Sequence, residues 1–335
     1  LCDQNPEGFD FDFSQLSCMS QERSSAPSVA NHGYETNGLP AGSGKLSNRS
    51  AGSTRNLLAV VPTHLFGFPA DVEKLREAIL DPAVTVVEDA AQAMGEMSNG
   101  KKLGTLGDVG FFSLGRGKAF SVVEGGVVLT NRDDIGEALN SLIGQLPGYG
   151  RLALSKVIFK ALALMLFIHP SLFWLPRSIP FLKLGETLFE PDFPMLRMSS
   201  FQAGLARNWR QTLELLQEAR KKQVNRWATT IGLNRLGSSI ARGSLSLGLP
   251  RFPVRVRDRL KREVLLQESA RSGRGVMPVY PASINAIPEL KGKIPGGPFP
   301  FAESCPKELV TLPTHEFLTD EDIEEIGELV ARALD

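Results

Sequence analysis

The chain has 335 residues, enough for two domains or for one large α/β domain with an appendage. Lys plus Arg and Asp plus Glu are both 37, so no net field favours nucleic acid or an anionic membrane. Cys2, Cys18 and Cys305 are scattered, with no CxxC or HExxH pattern, and His32, His64, His169 and His315 do not cluster in sequence. This usage fits a reducing compartment and predicts neither a disulfide framework nor a metal site.

Taken in order, residues 1–18 predict a short strand end, a turn and a brief helix. Residues 19–56 are rich in Ser, Gly and Asn and poor in large aliphatics, which predicts a disordered insertion. Two decoys lie there. The GSGK ending at Lys45 has no Ser or Thr after it and no strand before it, and Asn48 opens a glycosylation-like triplet. Leu57 to Pro62 reads as a buried strand, and a helix follows with Pro69 near its first turn and Val72, Leu75, Ile79 and Leu80 on one face. The start at Leu1, with no basic-then-apolar leader, reads as a piece of a longer reading frame.

The organising stretch runs from Val84 to Thr130. Three strands are expected there: Val84–Val87 closing in Glu88 and Asp89, Asp108–Leu114, and Val127–Thr130. Strands alternating with helices imply right-handed crossovers and a parallel sheet, with chemistry at the strand ends. Asp89 then sits where such sheets bind ligands, or caps the segment starting at Ala90; Gln92 lies one helical turn on. Ser113 is a strand-end hydroxyl able to bind a phosphate oxygen. Lys118 follows Gly115-Arg116-Gly117, where a lysine can form an imine with a carbonyl. Alone, each is as well explained by an ordinary strand end or a solvated lysine.

Residues 132–146 predict an amphipathic helix with Ile135, Leu139, Leu142 and Ile143 inward. Residues 152–175 are the most apolar part. Lys156, Lys160 and His169-Pro170 interrupt a membrane span, so a buried or interface helical hairpin is expected, with membrane-surface contact as the lesser alternative. Phe193 to Arg220 reads as one long helix. The domain boundary is set near 190, giving domains 1–190 and 191–335. Beyond it come strands at Arg251–Val256, Val276–Tyr280 and Leu309–Leu312, a helix over 258–270, and a final helix from Thr319 opened by a Thr-x-x-Asp capping signal.

The segments VVPTHLFGFPAD, VVEDAAQAMG and GKKLGTLGDVGFFSLGRGKAFSVVEGGVVLTN, then LRMSSFQAGLA, VMPVYPAS and ELVTLPTHEFLTDEDIEEI, occur in this order. Together they resemble the DegT/DnrJ/StrS family of sugar aminotransferases. The resemblance implies a pyridoxal 5'-phosphate (PLP) enzyme of fold type I: a large α/β domain with a mostly parallel sheet, incomplete at the N-terminus, plus a small C-terminal α/β domain. By position, Lys118 matches the family's Schiff-base lysine, Asp89 the acid facing the pyridine nitrogen, Gln92 the residue near the ring hydroxyl, and Ser113 a phosphate-binding hydroxyl. The implied reaction moves an amino group from an amino acid, glutamate by expectation, to a keto sugar, in this family usually nucleotide-linked. A cytoplasmic homodimer is implied as well. The family's Gly-Thr/Ser phosphate turn and stacking aromatic are expected upstream of Leu1, Met195 stands where the family has asparagine, and Asn285 where it has histidine. A second reading therefore stays open: a truncated or degenerate non-catalytic relative acting as a binding or scaffold protein.

Overall fold

A computed structural model describes residues 1–335 except 7, 25–56, 80, 168–188, 233, 237–244 and 295. Lys45, Asn48 and most of the Ser/Gly-rich stretch therefore lie outside the described residues, as do His32, His169 and the last third of the apolar 152–175 segment.

A four-stranded sheet carries the organising stretch. Its order is β1 (Ala59–Val60), β2 (Thr85–Asp89), β5 (Val109–Ser113), β6 (Gly126–Thr130). β1 pairs parallel to β2, and β2 parallel to β5, with Asp89 opposite Phe111. β6 pairs antiparallel to β5 and is the exception in a sheet expected to be mostly parallel. The physical reason is its connection. Residues 114–125 contain no helix and return on themselves, Leu114 N donating to Gly125 O at 2.9 Å, so they deliver a hairpin partner. As an edge strand with one neighbour, β6 also leaves Val128 and Leu129 exposed, not buried. The strand expected over Leu57 to Pro62 shrinks to Ala59–Val60 for the same reason, with Leu58 and Val61 facing out. A small ribbon, β3 (Met97–Ser98) with β4 (Lys101–Lys102), projects between β2 and β5.

Helix α1 (Phe13–Ser24) runs beyond the brief helix expected and into the stretch expected as insertion. It packs against α2 (Val72–Ala78). Helix α2 starts later than Pro69 because the Asp71 carboxylate accepts from Lys74 N and sets the N-terminus. Val72 and Leu75 then join Leu16, Val60, Ile79, Val84 and Val86 in one core.

Helix α3 (Asp133–Gln145) has no fully buried residue: of its expected inward face, Ile135 and Leu139 are half-buried and Leu142 and Ile143 exposed. Helix α4 (Arg151–Phe167) is likewise not buried: Val157 is its one buried residue. Among the described residues no helix is long and apolar enough to cross a membrane. The single helix expected from Phe193 is two: α5 (Ser200–Leu205) and α6 (Trp209–Ile231). Ser199 ends the extended run by forming a capping box with Gln202, which is fully buried and donates from Nε2 to Glu124 O at 2.8 Å.

The second sheet, β7 (Arg251–Arg255), β9 (Leu309–Pro313), β8 (Met277–Pro278), is antiparallel throughout, with β9 central and fully buried. Helices α7 (Arg259–Ser272), α8 (Pro300–Glu308) and α9 (Asp320–Leu334) complete the region. The expected Thr319/Asp322 capping box forms at the start of α9, whose Ile323, Ile326 and Val330 are buried. Trp227 of α6, fully buried among Phe252, Leu249 and Leu312, donates Nε1–H to Pro313 O at 2.7 Å. Phe66 and Phe68, ahead of α2, join this same core and so tie the two sheets together. Cys2, Cys18 and Cys305 are free thiols.

Candidate functional site

The carboxyl ends of β2 and β5 set the site. Side chains alternate along β2, so Glu88 and Asp89 leave it on opposite faces. Glu88 is fully buried and Asp89 half-buried. Asp89 Oδ1 accepts from Ala91 N at 3.0 Å, in a turn over residues 91–95 where a helix would have been capped. Its backbone is fixed on both sides, N donating to Pro62 O at 2.8 Å and O accepting from His64 N at 3.0 Å.

Gln92 is held at both ends of its amide. Oε1 accepts from Phe66 N at 2.7 Å, and Nε2 donates to the Tyr280 hydroxyl at 2.7 Å. Burial raises the Tyr280 pKa, the Gln92 hydrogen bond works against that, and the charge of Asp89 adds to it. Asp89, Gln92 and Tyr280 thus share one neighbourhood, although Gln92 and Tyr280 are 188 residues apart.

Lys118 enters the same neighbourhood. It follows the tight turn in which Gly117 adopts φ +74, a conformation a β-carbon disfavours. Burial lowers its pKa, and the Asp89 carboxylate opposes that by favouring the ammonium. Arg220 of α6 clamps the Lys118 backbone, donating from Nη1 to Ala119 O at 2.8 Å and from Nη2 to Lys118 O at 3.4 Å. Ser113, at the end of β5, turns inward to its own loop: its Oγ accepts from Gly115 N at 3.3 Å. Of the four candidates, Asp89 is coupled electrostatically to Lys118 and, through Tyr280, to Gln92. Ser113 opens the loop that carries Lys118, and its hydroxyl is engaged with Gly115 N.

Behind Asp89 lies a buried cluster that sequence reasoning left unassigned. Glu88 Oε1 accepts from Leu106 N and Gly107 N, both at 2.5 Å. Its Oε2 accepts from Gly104 N at 2.8 Å and meets His64 Nε2 at 2.8 Å. His64 Nδ1 accepts from Ala70 N at 3.0 Å, so Nε2 is the protonated nitrogen and donates to Glu88. Burial pushes the Glu88 carboxyl up, but His64 and the Gly107 and Gly104 N–H groups outweigh it and hold its pKa below the ordinary value. Strand alternation was the available signal: an acid beside Asp89 had to face the core. Tyr280 and Arg220 carried none, because their positions depend on long-range packing.

Positions that depart from the resemblance are ordinary here. Met195 is exposed, and Asn285 donates from Nδ2 to Glu303 Oε1 at 2.8 Å.

A sequence profile of the DegT/DnrJ/EryC1/StrS aminotransferase family matches residues 50–154 and 194–331. The chain is 39% identical over 87 residues to GDP-perosamine synthase of Caulobacter vibrioides, covering 26% of this chain and 24% of that protein. It is 39% identical over 85 residues to dTDP-3-amino-3,4,6-trideoxy-alpha-D-glucose transaminase of Streptomyces venezuelae, covering 25% and 22%. The matched part is thus about a quarter of these relatives' length. A solved DegT DnrJ EryC1 StrS aminotransferase from Brucella abortus superposes with TM-score 0.65 at 18% identity, over 98% of this chain and 72% of that one, which establishes a shared fold. That fold is fold type I, an α/β architecture with a mixed, mostly parallel large-domain sheet. The profile match spans most of the chain, and the chain belongs to the DegT/DnrJ/EryC1/StrS aminotransferase family.

Proposed function

We propose that this chain carries the lysine side of a PLP-dependent sugar aminotransferase, with Lys118 as its catalytic residue. The carrying observation is the half-buried Lys118 amine, its pKa lowered by burial, lying within the field of Asp89. The donor set fits the cofactor: an amine for an aldehyde, a carboxylate for a pyridinium, and an amide and a phenol for a ring hydroxyl. When bound, PLP supplies an electron sink beside the carbon that gains or loses an amino group.

Lys118 would hold the cofactor aldehyde through Nζ, and its free amine would carry the proton that the amino-transfer chemistry moves. A lowered pKa puts more of that amine in the neutral, proton-accepting form. Asp89 would face the ring nitrogen and favour its protonated form. Gln92, braced by Phe66 N and Tyr280, would orient the ring hydroxyl, and the Ser113 hydroxyl would bind a phosphate oxygen. The substrates are an amino acid, glutamate in our reading, and a keto sugar linked to a nucleotide; the named activities of the relatives support this class. We extend the reading to a cytoplasmic homodimer, measurable by light scattering and cell fractionation, and to a domain boundary near residue 190, testable by limited proteolysis.

The direct test is incubation of the purified chain with PLP followed by borohydride and peptide mass analysis. A reduced adduct on Lys118, absent from Lys118→Ala, is expected. No adduct, or one on other lysines alone, overturns the assignment.

A further inference from the structure

Helix α4 is apolar on its inward side and largely apolar on its outward one as well. Leu152, Phe159, Leu162 and Leu166 recur at helical spacing and share one side. That side points outward: they are 82, 73, 56 and 62% exposed, and the neighbouring Met165 is 74% exposed. The inward side contributes only Val157 to the buried set. A surface helix normally keeps its outward side polar, whereas here the polar residues share that side with the apolar stripe.

The charges of α4 have one sign. Arg151, Lys156 and Lys160 are its charged residues, and in the sequence no acid occurs from Arg151 to Gly185. Lys156 and Lys160 lie one turn apart along a flank of the apolar stripe. Lys160 Nζ also reaches Glu124 Oε2 at 3.0 Å, which ties the helix to the loop that precedes β6.

We propose that α4 lies flat on an anionic lipid surface, its stripe at the boundary of acyl chains and headgroups and its cations among the phosphates. The charge pattern selects this occupant over a second copy. A two-fold contact through α4 brings each cationic flank against its own image, and like charges in an interface repel. Anionic headgroups neutralise the same cations, and long lysine stems let the ammonium reach them while the stem stays apolar. The 17 described residues of α4 extend about 25 Å, a length that can lie in the interface plane. The inference stands apart from the transaminase reading and uses none of its residues.

The test is co-sedimentation of the purified chain with phosphatidylcholine vesicles, with and without phosphatidylglycerol, at low and high salt. The bound fraction is expected to rise with phosphatidylglycerol and fall with salt. In the double variant Phe159→Gln/Leu162→Gln, vesicle partitioning is expected to drop at least about tenfold with far-UV circular dichroism unchanged. Lys156→Gln, which leaves the stripe intact, is expected to lower binding to phosphatidylglycerol vesicles alone and to flatten its salt dependence. A chain that stays in the supernatant with both vesicle types overturns the proposal. So does an α4 variant that binds vesicles as well as the parent, or one that instead splits a vesicle-free dimer.

Discussion

Replacing Glu88 by Gln tests the hydrogen-bond logic behind the site. The carboxylate accepts four donors: Leu106 N and Gly107 N at one oxygen, Gly104 N and His64 Nε2 at the other. An amide has one accepting end only. If its NH2 faces Leu106 and Gly107, two buried donors confront a donor. If it faces the other pair, Gly104 N is lost, and His64 can accept only by changing tautomer, which sets its Nδ1–H against Ala70 N. Either way at least two bonds fail. A hydrogen bond to a charged group is worth about 1.5–3 kcal/mol, so the loss is about 3–6 kcal/mol. A domain's whole stability is of order 5–15 kcal/mol. Urea unfolding followed by circular dichroism reads the difference. The folded Glu88 pKa is held below its unfolded value, so this stability is present above the unfolded pKa and is lost as pH falls through the folded one. The gap between parent and Glu88→Gln therefore narrows on acidification. A loss under about 1 kcal/mol at neutral pH, the worth of a single ordinary hydrogen bond, refutes the reasoning.

Other outcomes follow from the same structure. Burial lowers the Lys118 pKa while Asp89 raises it, so Lys118 should react with an amine-directed reagent at lower pH than exposed lysines, and Asp89→Asn should move that profile lower still; an unmoved profile removes the electrostatic link. Thr319→Ala breaks the capping box of α9 and should cost about 1 kcal/mol in urea unfolding. Leu312→Ala hollows the fully buried centre of β9 and should cost about 2–5 kcal/mol by the same measurement. Burial pushes the Cys2 and Cys305 thiols up to about 11, so under native conditions a thiol reagent should label Cys18 first and Cys305 only on unfolding.

What could be read beforehand was what local chemistry dictates. The acid at the end of β2, the lysine beyond its glycine turn and the Thr319 cap are set within a few residues, and all stand as expected. The direction of β6 was not legible, because it depends on how residues 114–125 fold back. The split between α5 and α6 was hidden by apolar spacing that continues across it; Ser199 with Gln202 was the missed signal for the later start at Ser200. The outward apolar side of α4 could not be foreseen, since periodicity reports a face and not what lies against it. Tyr280 reaches Gln92 only through the fold, and no spacing in the chain announces that.

Helix α6 ties all of this to motion. Along its 23 residues it inserts Leu213 beside Leu114 and Phe120, joins Gln217 to Glu96 at 3.0 Å, grips the Lys118 carbonyl through Arg220, and ends with Trp227 seated in the second sheet. A continuous helix of about 35 Å bends little. Any swing of the C-terminal sheet will therefore be felt at the main chain of Lys118, and a hinge has to fall outside this splint, as at the break over residues 206–208. Anything that draws the two halves together would shift the Lys118 main chain by the same stroke.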